Sequence, residues 1–387
     1  MADRAYLDWN ATAPLREQAK AAVTAALDLC GNPSSVHGEG RAARRLIEDA
    51  RERVAKLAGA DPADVVFTSG GTEANALALT PFVARAAEKA PLQSLLMSAI
   101  EHPSVRSGGR FPAAAVSEIP VTAQGVVNLE ALKARLEKSG HVLVSIMLAN
   151  NETGVIQPVR QAADIVHEAG GLIHVDAVQG PGRVPLDITA LGADLMTFSA
   201  HKLGGPKGVG ALIRASGIHI AEPLIRGGGQ ERGARAGTEN VAGIAGFGAA
   251  AEAALQLLQA DIARMRALRD RLETGLKAMT PQAIIFGAEA ERLPNTTLFA
   301  LSGMKAETAV IALDLDGVAV SSGAACSSGK VQPSHVLAAM GVARPLAEGA
   351  VRVSFGPTTK DSDLEKFLNA WNKLSKSLGK ERNGLAA

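Results

Sequence analysis

The chain is short of aromatic residues, of cysteine and of net charge, and each shortage excludes something. With aromatics at 3% and a formal net charge of +1, it offers neither stacking platforms nor a basic field, so no direct nucleic-acid partner is expected. Cys30 and Cys326 are too few for a disulfide framework and suit a reducing compartment. The opening residues Met-Ala-Asp-Arg-Ala-Tyr-Leu-Asp carry charges where a secretory leader needs an apolar centre, so a cytoplasmic location is expected. The longest weakly charged apolar run, 241–258, is interrupted by Glu252 and filled with Ala and Gly. It reads as a buried helix rather than a membrane span, and no membrane partner is expected.

What is present is enough apolar residue, 47% of 387, to bury a large core spread over two or three domains. Helical spacing over 15–30 stops at Gly31, a suitable left-handed cap, and a charged helix follows over 40–58. Strand-like runs at 65–68, 95–98, 142–148, 171–175 and 194–199 alternate with helical patterns at 129–138 and 159–169. That alternation predicts an α/β fold with a mostly parallel sheet covered on both faces. A long amphipathic pattern over 255–279, with Leu268, Leu272 and Leu276 on one face, leads into a second region. It holds strand-like runs at 283–286, 296–301, 318–321 and 351–355 and helices at 306–315 and 361–378, with 380–387 as a frayed tail. The expected division is a large domain over 15–254 and a small one built from 1–14 and 255–379.

The most informative segment is Ser199-Ala-His-Lys-Leu-Gly-Gly-Pro-Lys-Gly-Val-Gly210, which places Lys202 in a glycine-containing loop directly after a strand-like run. A desolvated lysine loses its proton readily and can hold a carbonyl cofactor as a Schiff base. Run 171–175 ends the same way at Asp176, and two parallel strands stopping at one edge bring aspartate and lysine to one crevice. A pyridoxal ring needs that pair, the lysine for its aldehyde and the carboxylate for its pyridine nitrogen. Lys207, beyond Pro206, reads as an ordinary turn lysine.

Other candidates carry two readings each. Ser69-Gly-Gly-Thr72 joins a strand to a helix, so the N–H groups of Gly71 and Thr72 either face a phosphate or simply cap the helix. Ser199 and His201 could bond the same phosphate. Asn151 and Gln179 either reach the ring's phenolic oxygen or form turns, and His102 either stacks on a flat ring or lies in a turn. Arg352, inside a strand-like run, binds either a substrate carboxylate or an unnamed structural acid. Cys326, in Ser321-Ser-Gly-Ala-Ala-Cys-Ser-Ser-Gly329, reads as a thiol on an accessible loop, whereas Cys30 reads as a packed residue ending an apolar helix.

Together these segments resemble the pyridoxal 5'-phosphate-dependent cysteine desulfurases of the NifS and IscS type, class V aminotransferase-like proteins, nearly end to end. The matching stretches include Tyr6-Leu-Asp-Trp-Asn-Ala-Thr12, Thr68-Ser-Gly-Gly-Thr-Glu-Ala-Asn75, Glu101-His102, Asn150-Asn-Glu-Thr-Gly154, His174-Val-Asp-Ala-Val-Gln179, Ser199-Ala-His-Lys202 and Arg226-Gly-Gly-Gly-Gln-Glu-Arg232 with Gly237-Thr238. The short Ser-Ser-Gly-Ala-Ala-Cys segment is similar to the NifS/IscS branch and unlike the SufS branch. The resemblance implies fold type I of the pyridoxal-phosphate transferases, with a seven-stranded sheet and a smaller α+β C-terminal domain. It further implies Lys202 as the Schiff-base lysine, Asp176 at the pyridine nitrogen, His102 on the ring, and Asn151 and Gln179 at the phenolic oxygen. Gly71, Thr72, Ser199 and His201 would hold the phosphate, joined by Thr238 from the other subunit of a homodimer. Asn32 and Arg352 would grip L-cysteine, and Cys326 would take its sulfur as a persulfide, pass it to an acceptor such as an iron–sulfur scaffold, and transiently ligate a cluster. Trp9 and Pro357 depart from the usual pattern. Rival readings are a selenocysteine lyase or small-substrate aminotransferase, which would not use the loop cysteine, and a non-catalytic sulfur-relay scaffold, which would lack catalytic groups that are all present here.

Overall fold

The computed structural model describes residues 4–85, 91–137, 140–323 and 334–384, with backbone alone for 378–384. Its centre is a seven-stranded sheet. Across it the order is Val65–Thr68, Gly210–Arg214, Leu195–Ser199, Leu172–Asp176, Val142–Ser145, Ser94–Ser98 and Val116–Ile119. Gly210–Arg214 runs antiparallel to both neighbours, and the other pairings are parallel. The mostly parallel sheet expected from the sequence is therefore present.

The strands form here because their side chains alternate between two apolar layers. Ile173, Met196 and Ile213 face one layer, with Ile47, Val54 and Phe247 from the helices Gly38–Ala58 and Val241–Gln256. Leu172, Leu195 and Leu212 face the other, with Leu77 and Ala78 of the helix Gly71–Ala78. Burial on both faces explains why the central strands read as unbroken apolar runs. Each fully buried Leu, Ile or Phe contributes about 1.5–3 kcal/mol.

A second, antiparallel sheet runs Ile284–Ile285, Thr296–Ala300, Val351–Ser354, Ser321–Ser322. It has its own cluster, in which Leu268, Leu272 and Leu276 from the helix Leu258–Met279 pack with Phe299, Phe367 and Trp371. Trp371 meets Phe299 edge-on at 5.0 Å between centroids and donates its indole N–H to Thr280 Oγ1 at 3.1 Å. The chain's beginning joins this cluster: Ala5–Tyr6 pairs in parallel with Val318–Ala319.

Several expectations are corrected. The first helix is Glu17–Leu27, ending before Cys30, which is exposed rather than packed. Gly31 is not a left-handed cap. A Cβ there would lie 2.3 Å from the Glu39 carbonyl oxygen, so its glycine serves a close backbone approach. The last helix, Asp361–Gly384, continues through part of the expected tail. Strands Val116–Ile119 and Gly210–Arg214 lay in sequence too short or too glycine-flanked to stand out. Among the described residues no single helix is long and apolar enough to cross a membrane.

Candidate active site

Two adjacent parallel strands end at one edge. Leu172–Asp176 and Leu195–Ser199 pair with Asp176 opposite Thr197, and the next turn, Ala200–Lys202, carries the lysine. Asp176 and Lys202 thereby open on a single cavity of about 770 Å³. Of the residues singled out in the sequence, Gly71, Thr72, His102, Asn151, Asp176, Gln179, Ser199, His201, Lys202 and Arg352 line it. A crevice outside the carboxyl ends of parallel strands is the usual ligand site of open α/β sheets.

Lys202 Nζ donates to the main-chain oxygens of Asn10 at 2.6 Å and Ala11 at 2.8 Å. Burial, with the guanidinium groups of Arg352 and Arg183 nearby, pushes its pKa down from 10.5 to about 7. An amine of that kind is substantially neutral, hence nucleophilic, near physiological pH.

The Asp176 carboxylate is held at both oxygens. Oδ1 accepts from the Val178 N–H at 3.0 Å and Oδ2 from Asn75 Nδ2 at 2.8 Å. Asn75, 1% exposed, also donates to Ser104 Oγ at 2.9 Å and accepts from Thr197 Oγ1 at 2.6 Å. Ser104 in turn bonds His102 Nδ1 through its hydroxyl at 2.8 Å and its N–H at 3.2 Å. These donors make Nδ1 an acceptor and leave Nε2 as the N–H end of the neutral ring. Although the ring is open to the cavity, the surrounding protein desolvates it and holds its pKa below the usual value, with Lys202 adding to the effect against Asp176. The sequence displayed Asn75 but gave it no role. The signal was a buried polar residue one turn beyond Thr72 on the same helix.

The cavity lining also holds a donor set fit for a phosphate. The helix Gly71–Ala78 starts there, and Thr72 and Ser199 supply hydroxyls beside the imidazole of His201. A Cβ on Gly71 would come within 3.0 Å of Val178 Cγ2 and 3.3 Å of Ser199 Cβ, so the helix start sits tightly over the strand ends. Burial and the cations Lys202, Lys207 and Arg183 press the His201 pKa down to about 4. A bound dianion would oppose that shift. Lysine, carboxylate and anion cradle together fit pyridoxal phosphate.

The acid paired with Arg352 is Asp8. Arg352 Nη2 donates to Asp8 Oδ1 at 2.7 Å and Nη1 to the Asn151 oxygen at 3.0 Å, while its buried Nε has no partner among the described residues. Asp8 Oδ2 also accepts from Ser321 Oγ at 2.8 Å. The guanidinium is thus ion-paired to a structural acid and also lines the cavity. Lys207, read as a turn lysine, lines the cavity too.

Asn32 and Thr238 are exposed and outside the cavity lining. Asn32 Oδ1 accepts from the Ser34 N–H at 2.9 Å instead. Cys326 lies outside the described residues. Among those described, no group of three or more His, Cys, Asp and Glu is placed to hold a metal ion.

Fold and site define an α/β protein of the pyridoxal-phosphate-dependent kind, with its lysine at the sheet's carboxyl edge. The chain belongs to the aminotransferase class-V family, whose pattern matches residues 5–367. It is 44% identical over 372 residues to a cysteine desulfurase of Cereibacter sphaeroides, covering 95% of this chain and 94% of that protein. Among solved structures it is similar to a NifS-like protein from Rickettsia africae, with a TM-score of 0.87, 37% identity, and coverage of 97% of this chain and all of the other. It is also similar to SspA in complex with cysteine, with a TM-score of 0.75, 27% identity, and coverage of 92% of this chain and all of the other.

Proposed function

We propose that this chain is a pyridoxal-phosphate-dependent cysteine desulfurase, which takes the sulfur of L-cysteine onto Cys326 and releases L-alanine. The observation that carries the reading is the joint placement of Lys202, Asp176 and the Thr72–Ser199–His201 cradle around one cavity. When bound, the cofactor would supply an electron-withdrawing ring.

The chain's own residues do the rest. Lys202 Nζ would hold the aldehyde of the cofactor and would move the α-proton of the substrate. Asp176, fixed by Asn75 and Val178, would keep the pyridine nitrogen protonated. His102, with Nε2 as its N–H end, orients the ring and carries a proton. Asn151 and Gln179 would bind the phenolic oxygen, and Arg352, with Asn32, would bind the substrate carboxylate. The Cys326 thiolate attacks the substrate sulfur. An S–S bond forms as the C–S bond breaks, the electron pair of the broken bond stays with carbon, and protonation there gives alanine.

The same reading makes the protein a homodimer in which Thr238 reaches the partner's phosphate site. The domain division is 15–254 against 1–14 with 255–379, supported by the separate apolar clusters. The persulfide would pass to an acceptor protein of the iron–sulfur scaffold kind. The test is alanine release from L-cysteine compared with amino transfer to a keto acid. Cys326→Ser is expected to abolish persulfide and alanine formation while leaving cofactor absorbance intact. Wild-type desulfuration by that variant contradicts the assignment of the nucleophile.

A further inference from the structure

The described residues include a buried cation that the reaction above does not use. Arg183 is 4% exposed, and no described carboxylate lies within salt-bridge distance of it. Its donors go to oxygen atoms only. Nη1 donates to the Gln179 carbonyl at 3.0 Å and to Gln179 Oε1, and Nη2 donates to the carbonyls of Trp9 and Lys202, each at 3.3 Å. Burying a cation without a counter-charge carries a penalty of several kcal/mol, so an apolar side chain would serve packing better. The guanidinium must be sought for something else.

The neighbouring amide shows what that is. Gln179 lines the cavity, its Oε1 faces Arg183, and its Nε2 donates to the Asn10 carbonyl at 3.1 Å. Guanidinium has donors only and a carbonyl oxygen accepts only, so this carboxamide fits one way round. One N–H of Nε2 remains for a ligand.

We infer that Arg183 is a positioning residue, which by holding the Oε1 end of Gln179 keeps the amide nitrogen as the donor of the cavity and so selects a ligand oxygen bearing negative charge. The inference rests on the pyridoxal-phosphate reading, in which that oxygen is the ring hydroxylate. The unpaired charge acts in the same direction, since it favours an anionic oxygen and opposes protonation of Lys202. Burial and Arg352 lower Arg183's own pKa to about 9, which leaves it charged at neutral pH. The two unusual residues of the sequence lie in this neighbourhood. Trp9 and Pro357 share with Arg183 and Lys202 a small recess behind the lysine, and a Cβ on Gly356 would come within 2.0 Å of the Trp9 ring. The Trp9 carbonyl is thus held in place to receive Arg183.

The experiment is a double-mutant cycle on the full-length, cofactor-free protein, reading pyridoxal phosphate affinity by absorbance titration. Gln179→Ala and Arg183→Leu are each expected to weaken binding about tenfold, and the double variant no more than either alone, because both remove one oriented donor. Losses that multiply to about a hundredfold overturn the inference. Arg183→Leu leaves four acceptors without their donor, so the cycle is also closed with Arg183→Lys, for which the same non-additivity is expected and multiplying losses are equally contradictory. A readout that structural damage does not reproduce is the pH midpoint for borohydride trapping of Lys202 by pyridoxal. It is expected to rise by about one unit in Arg183→Leu and to stay in place in Arg183→Lys. Equal midpoints in the two variants count against a role for the charge. Failure of the wild-type protein to bind pyridoxal phosphate overturns the functional reading itself, whereas intact binding with multiplying losses overturns only the role of Arg183.

Discussion

Arg352 Nη2 and Asp8 Oδ1 meet at 2.7 Å and join the two ends of the chain at the cavity wall. Arg352 is on the strand Val351–Ser354, and Asp8 lies just past Ala5–Tyr6, so this ion pair fixes the N-terminal segment whose Asn10 and Ala11 carbonyls receive Lys202.

Removing the acid leaves a buried guanidinium uncompensated. Asp8→Ala is expected to lower stability by about 2–4 kcal/mol in denaturant unfolding, and Arg352→Leu added to it to lose less than the sum of the single changes. Strict additivity contradicts a direct ion pair.

Asn75 is expected to behave as a structural partner of Asp176. Asn75→Ala removes donors from Asp176 and Ser104 and strands the Thr197 hydroxyl, with a predicted loss of about 2–3 kcal/mol in the cofactor-free protein. Asn75→Asp places a second carboxylate against Asp176 and should weaken pyridoxal phosphate binding by at least about tenfold. Unchanged affinity in that variant means that Asp176 does not depend on this neighbour.

Glu152 supplies a test by pH. It is 2% exposed, accepts from Ser334 Oγ at 2.5 Å, and is pushed by burial from 4.5 to about 7. A carboxyl whose folded pKa is raised favours the folded state while protonated, and this contribution is lost as pH rises from 4.5 towards 7. Glu152→Gln stays neutral, so its advantage over wild type should grow across that window and level off above it at about 3 kcal/mol. A difference that does not vary with pH contradicts the assignment.

How much of this was legible beforehand depended on how local each signal was. The central strands were visible because burial on both faces demands continuous apolar runs, as in Leu172–Asp176. Lys202 and Asp176 were visible because each closes such a run. Asp8 as the partner of Arg352 was not, since 344 residues separate them and they meet through long-range pairing, of Ala5–Tyr6 with Val318–Ala319 and of Asp8 with Ser354. Arg183 was missed because nothing local marks a charge whose partners are carbonyl oxygens. Cys30 was misread because the apolar spacing runs on past Leu27, where the helix stops, and so placed the cysteine on a helix that does not reach it.

The central claim is that Lys202 is the cofactor-bearing amine, and Lys207 is its rival within the same cavity. Borohydride reduction of the pyridoxal-phosphate-loaded protein, followed by proteolysis and mass spectrometry, reads the modified residue directly. In cofactor-free protein, the pH dependence of trapping by pyridoxal gives the amine's midpoint. The account predicts the label on Lys202 and a midpoint near the value of about 7 set by burial, Arg352 and Arg183. A label on Lys207, or a midpoint at an ordinary lysine's 10.5, contradicts it.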